Sequence, residues 1–83
     1  KIGIGKVADA FLVDKGHKDG AEIHTVTTNG IIIIWNYNTH KLVTLLIARP
    51  QQIKRYYIEY GLPVPVEIVK VASQHKKQGY HTI

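Results

Sequence analysis

Histidine can take up and release a proton near neutral pH, because its imidazole titrates near pH 6.5. The chain carries five histidines, at positions 17, 24, 40, 75 and 81. His24 alone falls inside a segment that reads clearly as a strand. Phosphate chemistry would add a cation with a planar fork of donors, and Arg49 supplies one. Thr44 offers a hydroxyl. His24, Thr44 and Arg49 form the candidate catalytic set. The plainer account is a half-buried, hydrogen-bonded strand histidine and a solvated arginine at a strand end.

A second constellation suits recognition. Lys54, Arg55, Tyr56 and Tyr57 place cations beside rings. That interleaving fits RNA, where bases stack on aromatic faces and phosphates meet positive charge. Lys41, Lys54, Arg55, Tyr57 and Trp35 are the candidate RNA-binding residues. Packing of the tyrosines on a sheet is the alternative, above all for Tyr56 and Tyr60. The stretch from His75 to the C-terminus is a further basic cluster. His17-Lys-Asp19 and Glu22-Ile-His24 follow no recognised metal-ligand spacing, so no metal and no other cofactor is expected. A phosphate-binding Walker loop, a nucleophile elbow and a dinucleotide fingerprint are all missing from the sequence. The lack of a paired-carboxylate motif argues against two-metal nuclease and glycosidase chemistry.

These residues must be held by elements. Ala21–Thr28 and Ile31–Trp35 are β-branched runs around Asn29-Gly30, the strongest short-range signal for a hairpin. A two-residue turn there pairs His24 with Trp35 and puts both on one face with Val26, Ile31 and Ile33. After a turn at 36–40, Lys41–Arg49 reads as a third strand. A four-residue turn adds Leu42, Thr44 and Leu46 to the His24 face. The opposite face is then the more aliphatic, so helices are expected to cover it and leave His24 and Trp35 in an open cleft. Pro50 suits the first turn of a helix, Ile53, Tyr56, Tyr57 and Tyr60 recur at helical spacing, and Gly61 is a stop. Val66–Lys77 reads as a second helix, with a strand over Val64–Val71 as the competing reading. Val7–Val13 is a short helix or an edge strand, and 15–20 is a loop. The fold class is α+β: a twisted antiparallel sheet, a meander of three or more strands, with helices packed on one face.

Length and charge bound the rest. A chain of 83 residues is one domain, 1–83, and buries only about 60–65% of its unfolded surface. With no cysteine, disulfides and thiolate metal sites are excluded. No apolar run approaches the roughly 20 residues that span a bilayer, so no membrane anchor is expected. The sequence lacks Met and opens at Lys1, which points to a fragment of a larger polypeptide. Eleven Lys and Arg against six Asp and Glu give a formal +5, which favours polyanionic partners.

The segments Gly30-Ile-Ile-Ile-Ile-Trp-Asn36 and Lys41-Leu-Val-Thr-Leu-Leu-Ile-Ala-Arg-Pro-Gln-Gln-Ile-Lys-Arg-Tyr56-Tyr57 resemble the C-terminal toxin domains of bacterial contact-dependent growth inhibition systems. Those belong to the barnase–EndoU–colicin–RelE group of ribonucleases. The resemblance spans roughly 17–60. It implies a metal-independent endoribonuclease, often directed at tRNA, neutralised by a cognate immunity protein, acidic where it meets this basic chain. In some relatives elongation factor Tu is also required. It implies delivery from the surface of, or secretion by, one bacterium and action in the cytoplasm of another. Sites in the group combine a His with a Thr or Ser and a basic residue, the combination His24, Thr44 and Arg49. His24 would act as general base on the ribose 2′-OH or as general acid on the leaving oxygen, with Arg49 facing the transition-state charge and Lys41 or Lys54 helping. The alternatives are a non-catalytic RNA-binding module and a protein-interaction domain that recruits a partner strand at a sheet edge.

Overall fold

The computed structural model of the chain describes residues 3–14, 16, 18 and 20–77, with the side chains of 76 and 77 excepted. Four strands, β1 (Val7–Val13), β2 (Glu22–Thr27), β3 (Ile31–Asn36) and β4 (Leu42–Ile47), precede two helices, α1 (Pro50–Glu59) and α2 (Val66–Lys77). The strands pair in chain order, β1-β2-β3-β4, each antiparallel to the next. The architecture is α+β, with helices against one face of an antiparallel sheet.

The first hairpin turns differently from the sequence expectation. His24 pairs with Ile34, and Trp35 pairs with Ile23. The loop holds Thr28, Asn29 and Gly30, and the Gly30 N–H donates to the Thr27 carbonyl at 3.1 Å. Gly30 alone in this loop takes a left-handed φ, +74°. That is a type I turn followed by a glycine bulge, whereas a two-residue turn needs φ > 0 at both Asn29 and Gly30. The buried Thr27 side chain fixes the choice. Its Oγ1 accepts from Ile31 N at 3.2 Å and donates to the Ile4 carbonyl at 2.6 Å.

The extra loop residue turns β3 over. Ile32 and Ile34, not Ile31 and Ile33, join His24 and Val26 on one face. A bulge at Val43 then shifts the register of β4, so Trp35 pairs with Leu42 while Ile34 pairs with Thr44. Thr44 therefore stays on the face of His24.

That face is the one the helices cover. Phe11, Val26, Ile32, Ile34 and Ala48 pack with Ile53, Tyr57, Ile68 and Ala72 in the main core. The far face carries a smaller cluster of Ile31, Ile33 and Ile47. The expectation that helices cover the face opposite His24 is thus reversed. β1 is an edge strand, with Phe11 opposite His24.

Local chemistry sets the helix ends. Pro50 opens α1 with its φ preset, and Gln52 Oε1 accepts from Arg49 N at 3.4 Å. The end is a Schellman arrangement: Leu62 N–H bonds the Tyr57 carbonyl, Gly61 N–H bonds that of Ile58, and Gly61 sits at φ +69°. Pro65 caps α2 through its carbonyl, and the β-branched 66–71 segment is helical because Ile68 and Ala72, four apart, both reach the core. Gly30 meets α2 closely, since a Cβ there would lie 3.4 Å from Ala72.

Candidate functional site

His24 lies on β2 beneath α1 and is 9% exposed. Both ring nitrogens are engaged. Nε2 lies 3.0 Å from Glu22 Oε1, and Nδ1 forms a short hydrogen bond with the Tyr56 hydroxyl. Glu22 is two residues back on the strand, so it shares the face of His24. A carboxylate only accepts, so Nε2 carries the hydrogen, and Nδ1 of the neutral ring accepts from the Tyr56 O–H. The result is a directed chain, Glu22–His24–Tyr56.

Tyr56 is placed by α1 and by Phe11, whose ring stacks on it at 5.4 Å. Burial pushes its hydroxyl up to about 12, and the Glu22 charge pushes the same way. A Gln52 side-chain hydrogen bond and the Arg55 guanidinium pull in the other direction. The Tyr56 hydroxyl therefore stays protonated at neutral pH and remains a donor to His24.

Gln52 and Arg55 also line an open cleft of about 640 Å³, with Arg49, Pro50, Gln51 and Ser73. The cleft lies beside the first turn of α1, the positive end of the helix dipole, which favours an anion. Lys54 and Arg55 continue along the helix beside Gln51 and Ile58. Arg55 of the cleft and Tyr56 of the hydrogen-bonded chain are thus neighbours on α1.

The candidate catalytic set is only partly brought together. Thr44 shares the face of His24 but lies across β3, about 10 Å away at 4.8 Å per strand, and its hydroxyl reaches only the Leu45 carbonyl, at 3.4 Å. Arg49 has left the strand and precedes α1. His24 does not stand in an open cleft beside Trp35; the slip at the first hairpin puts the two on opposite faces. Trp35 is 36% exposed and borders a separate hollow with Ile23, Asn36 and His40. Tyr57 is buried, its hydroxyl donating to Asp9 Oδ2 at 2.5 Å, so its ring is not offered to a base. Lys41 is exposed next to the β3–β4 turn, Arg55 lines the cleft, and Lys54 lies with Arg55 in an adjoining hollow.

Glu22, Gln52 and Tyr56 complete the site. The signal for Glu22 was its i, i+2 spacing from His24 on a strand. Nothing in the sequence singled out Gln52. His17, Asp19 and most of the C-terminal basic cluster lie outside the described residues. Among the described residues no group of three or more His, Cys, Asp or Glu could hold a metal ion, and no helix is long and apolar enough to cross a membrane.

Fold and site together define a basic α+β domain with a part-buried Glu22–His24–Tyr56 hydrogen-bond chain and an open cleft lined by Arg49 and Arg55. No protein-family model, curated protein or solved structure matches it.

Proposed function

We propose that this domain is a metal-independent endoribonuclease. The observation that carries the reading is the hydrogen-bonded Glu22–His24–Tyr56 chain, whose Tyr56 lies on the same helix as Arg55 of the arginine cleft. Arg49 and Arg55 would hold the scissile phosphate through charge-assisted bonds. The ribose 2′-OH would pass its proton to the Tyr56 oxygen while Tyr56 passes its own to His24 Nδ1. Glu22 then faces an imidazolium. The 2′-oxygen bonds to phosphorus, the P–O5′ bond breaks, and water in the open cleft protonates the 5′-oxygen. The products are a 2′,3′-cyclic phosphate and a 5′-hydroxyl. In the setting that the resemblance implies, the substrate would be tRNA, elongation factor Tu a helper as in some relatives, and an acidic immunity protein the neutralising partner.

A second reading has its own support. The 9% exposure of His24 suits a core residue, and the cleft alone would then make a non-catalytic RNA-binding module. One set of assays separates the two. RNA cleavage that persists in EDTA, yields cyclic phosphate ends and is lost in Tyr56→Phe supports the ribonuclease. Salt-dependent RNA binding without cleavage supports the binding module. Cleavage that stops in EDTA and returns with Mg²⁺ overturns the proposed mechanism.

A further inference from the structure

The two edges of the sheet differ. β1 carries Asp9 within it, has a register shift between Val7 and Asp9, and gives the Leu12 carbonyl to the Tyr60 hydroxyl. A charge, a bulge and an engaged carbonyl are the usual protections of an edge strand. β4 reads Leu-Val-Thr-Leu-Leu-Ile, with no charge and no proline. Its register shift lies at the Leu42 end, so 44–47 pair regularly with β3. Among the described residues β4 pairs in the sheet with β3 alone. Leu42 and Val43 are each 51% exposed, and Leu45 and Leu46 are partly so.

We propose that β4 is a docking edge for an extended strand of an acidic partner protein. Added strands gain affinity from main-chain hydrogen bonds and specificity from alternating side chains. Apolar side chains on the incoming strand would cover Leu45 on one face and Leu46 on the other. Charge selects the occupant. No Asp or Glu occurs between Glu22 and Glu59, and Lys41 and Arg49 bracket the strand. A second copy of this chain would bring the same cations to the same edge, and like charges across a strand pair are destabilising. A strand flanked by Asp or Glu meets Lys41 and Arg49 instead and is steered to them. The 44–47 edge itself lies outside the arginine cleft and meets it only at Arg49, and docking there does not depend on RNA cleavage.

The test uses the intact chain and synthetic peptides of alternating Val and Thr, flanked by Glu or by Lys. Hydrogen exchange read residue by residue should show the Glu-flanked peptide slowing amides within 44–47 and none in β1. N-methylation of its edge-facing amides should abolish the effect. The Lys-flanked peptide should bind on the order of tenfold more weakly. In Val43→Glu, folded by circular dichroism, that preference should shrink or invert. Equal binding of the two peptides, indifference to N-methylation, absence of slowing in 44–47, or a dimer protecting 44–47 without peptide would each overturn the proposal.

Discussion

The space beneath α1 and the outer side of the same helix use polar residues in opposite ways. Beneath it, Glu22, His24 and Tyr56 are bonded to one another and partly buried. Outside, Arg49 and Arg55 stand in an open cleft where each keeps most of its hydration. A shielded polar group loses its partner at full desolvation cost, whereas a solvated one loses little. The inner set should therefore govern stability together with activity, and the outer set affinity alone.

The largest effect that could break this contrast is at His24. His24→Ala leaves the Tyr56 hydroxyl and the Glu22 carboxylate without the ring that bonds them, and opens a cavity. Chemical denaturation should show a loss of about 3 kcal/mol, and cleavage by the folded fraction should fall about 10²–10⁴-fold. A stable, fully active variant would remove His24 from both roles. Next comes the cleft. Arg49→Ala with Arg55→Ala should leave the denaturation midpoint within about 0.5 kcal/mol of the parent. RNA affinity should fall, and the slope of log K against log salt should flatten by about one unit per lost phosphate contact. Unchanged affinity with lost stability would invert the comparison.

A smaller, pH-dependent effect sharpens it. The Tyr56 hydroxyl lies at about 12 in the folded chain against 10 when free, so folding favours the protonated form. This contribution is fully present below pH 10 and is lost as pH rises from 10 through 12. The thermal midpoint should fall across that window, and Tyr56→Phe should flatten part of the fall. Tyr57, pushed up by burial and by its bond to Asp9, contributes in the same direction. The smallest effect is at Thr44. Because it is exposed and stands across β3 from His24, Thr44→Ala should change stability by less than about 0.5 kcal/mol and leave cleavage intact. A large loss of cleavage would restore Thr44 to the site.

Much of the fold was legible because boundaries are written in local chemistry. Asn29-Gly30 marks a hairpin, Pro50 a helix start and Gly61 a helix stop, and each lies where the sequence puts it. The faces were less legible. Asn-Gly fits a two-residue turn and also a type I turn with a glycine bulge, and these differ by one residue of register. What decides is the Thr27 side chain, which bonds residues on both sides of the loop. The error therefore falls on β3, while the Val43 bulge returns Thr44 to the His24 face. Of the candidate site, His24 and Arg55 were readable by residue type. Tyr56 was read as a packing residue, and it is one, stacked on Phe11, but its hydroxyl also bonds His24. A sequence pattern reports which way a side chain faces, not what its terminal atom touches.

The chain-order pairing of the strands has a consequence for how the molecule forms. Each strand finds its partner one short connection away, so closing each hairpin costs little entropy. Folds rich in nearby contacts form quickly, and slow folding comes mainly from pairing distant segments. Here β2, β3 and β4 can assemble from a stretch of sequence that runs unbroken from Glu22 to Ile47. With no cysteine to oxidise or mispair, an unfolded chain can rebuild the β2–β3–β4 part of its sheet without waiting for its two ends to meet.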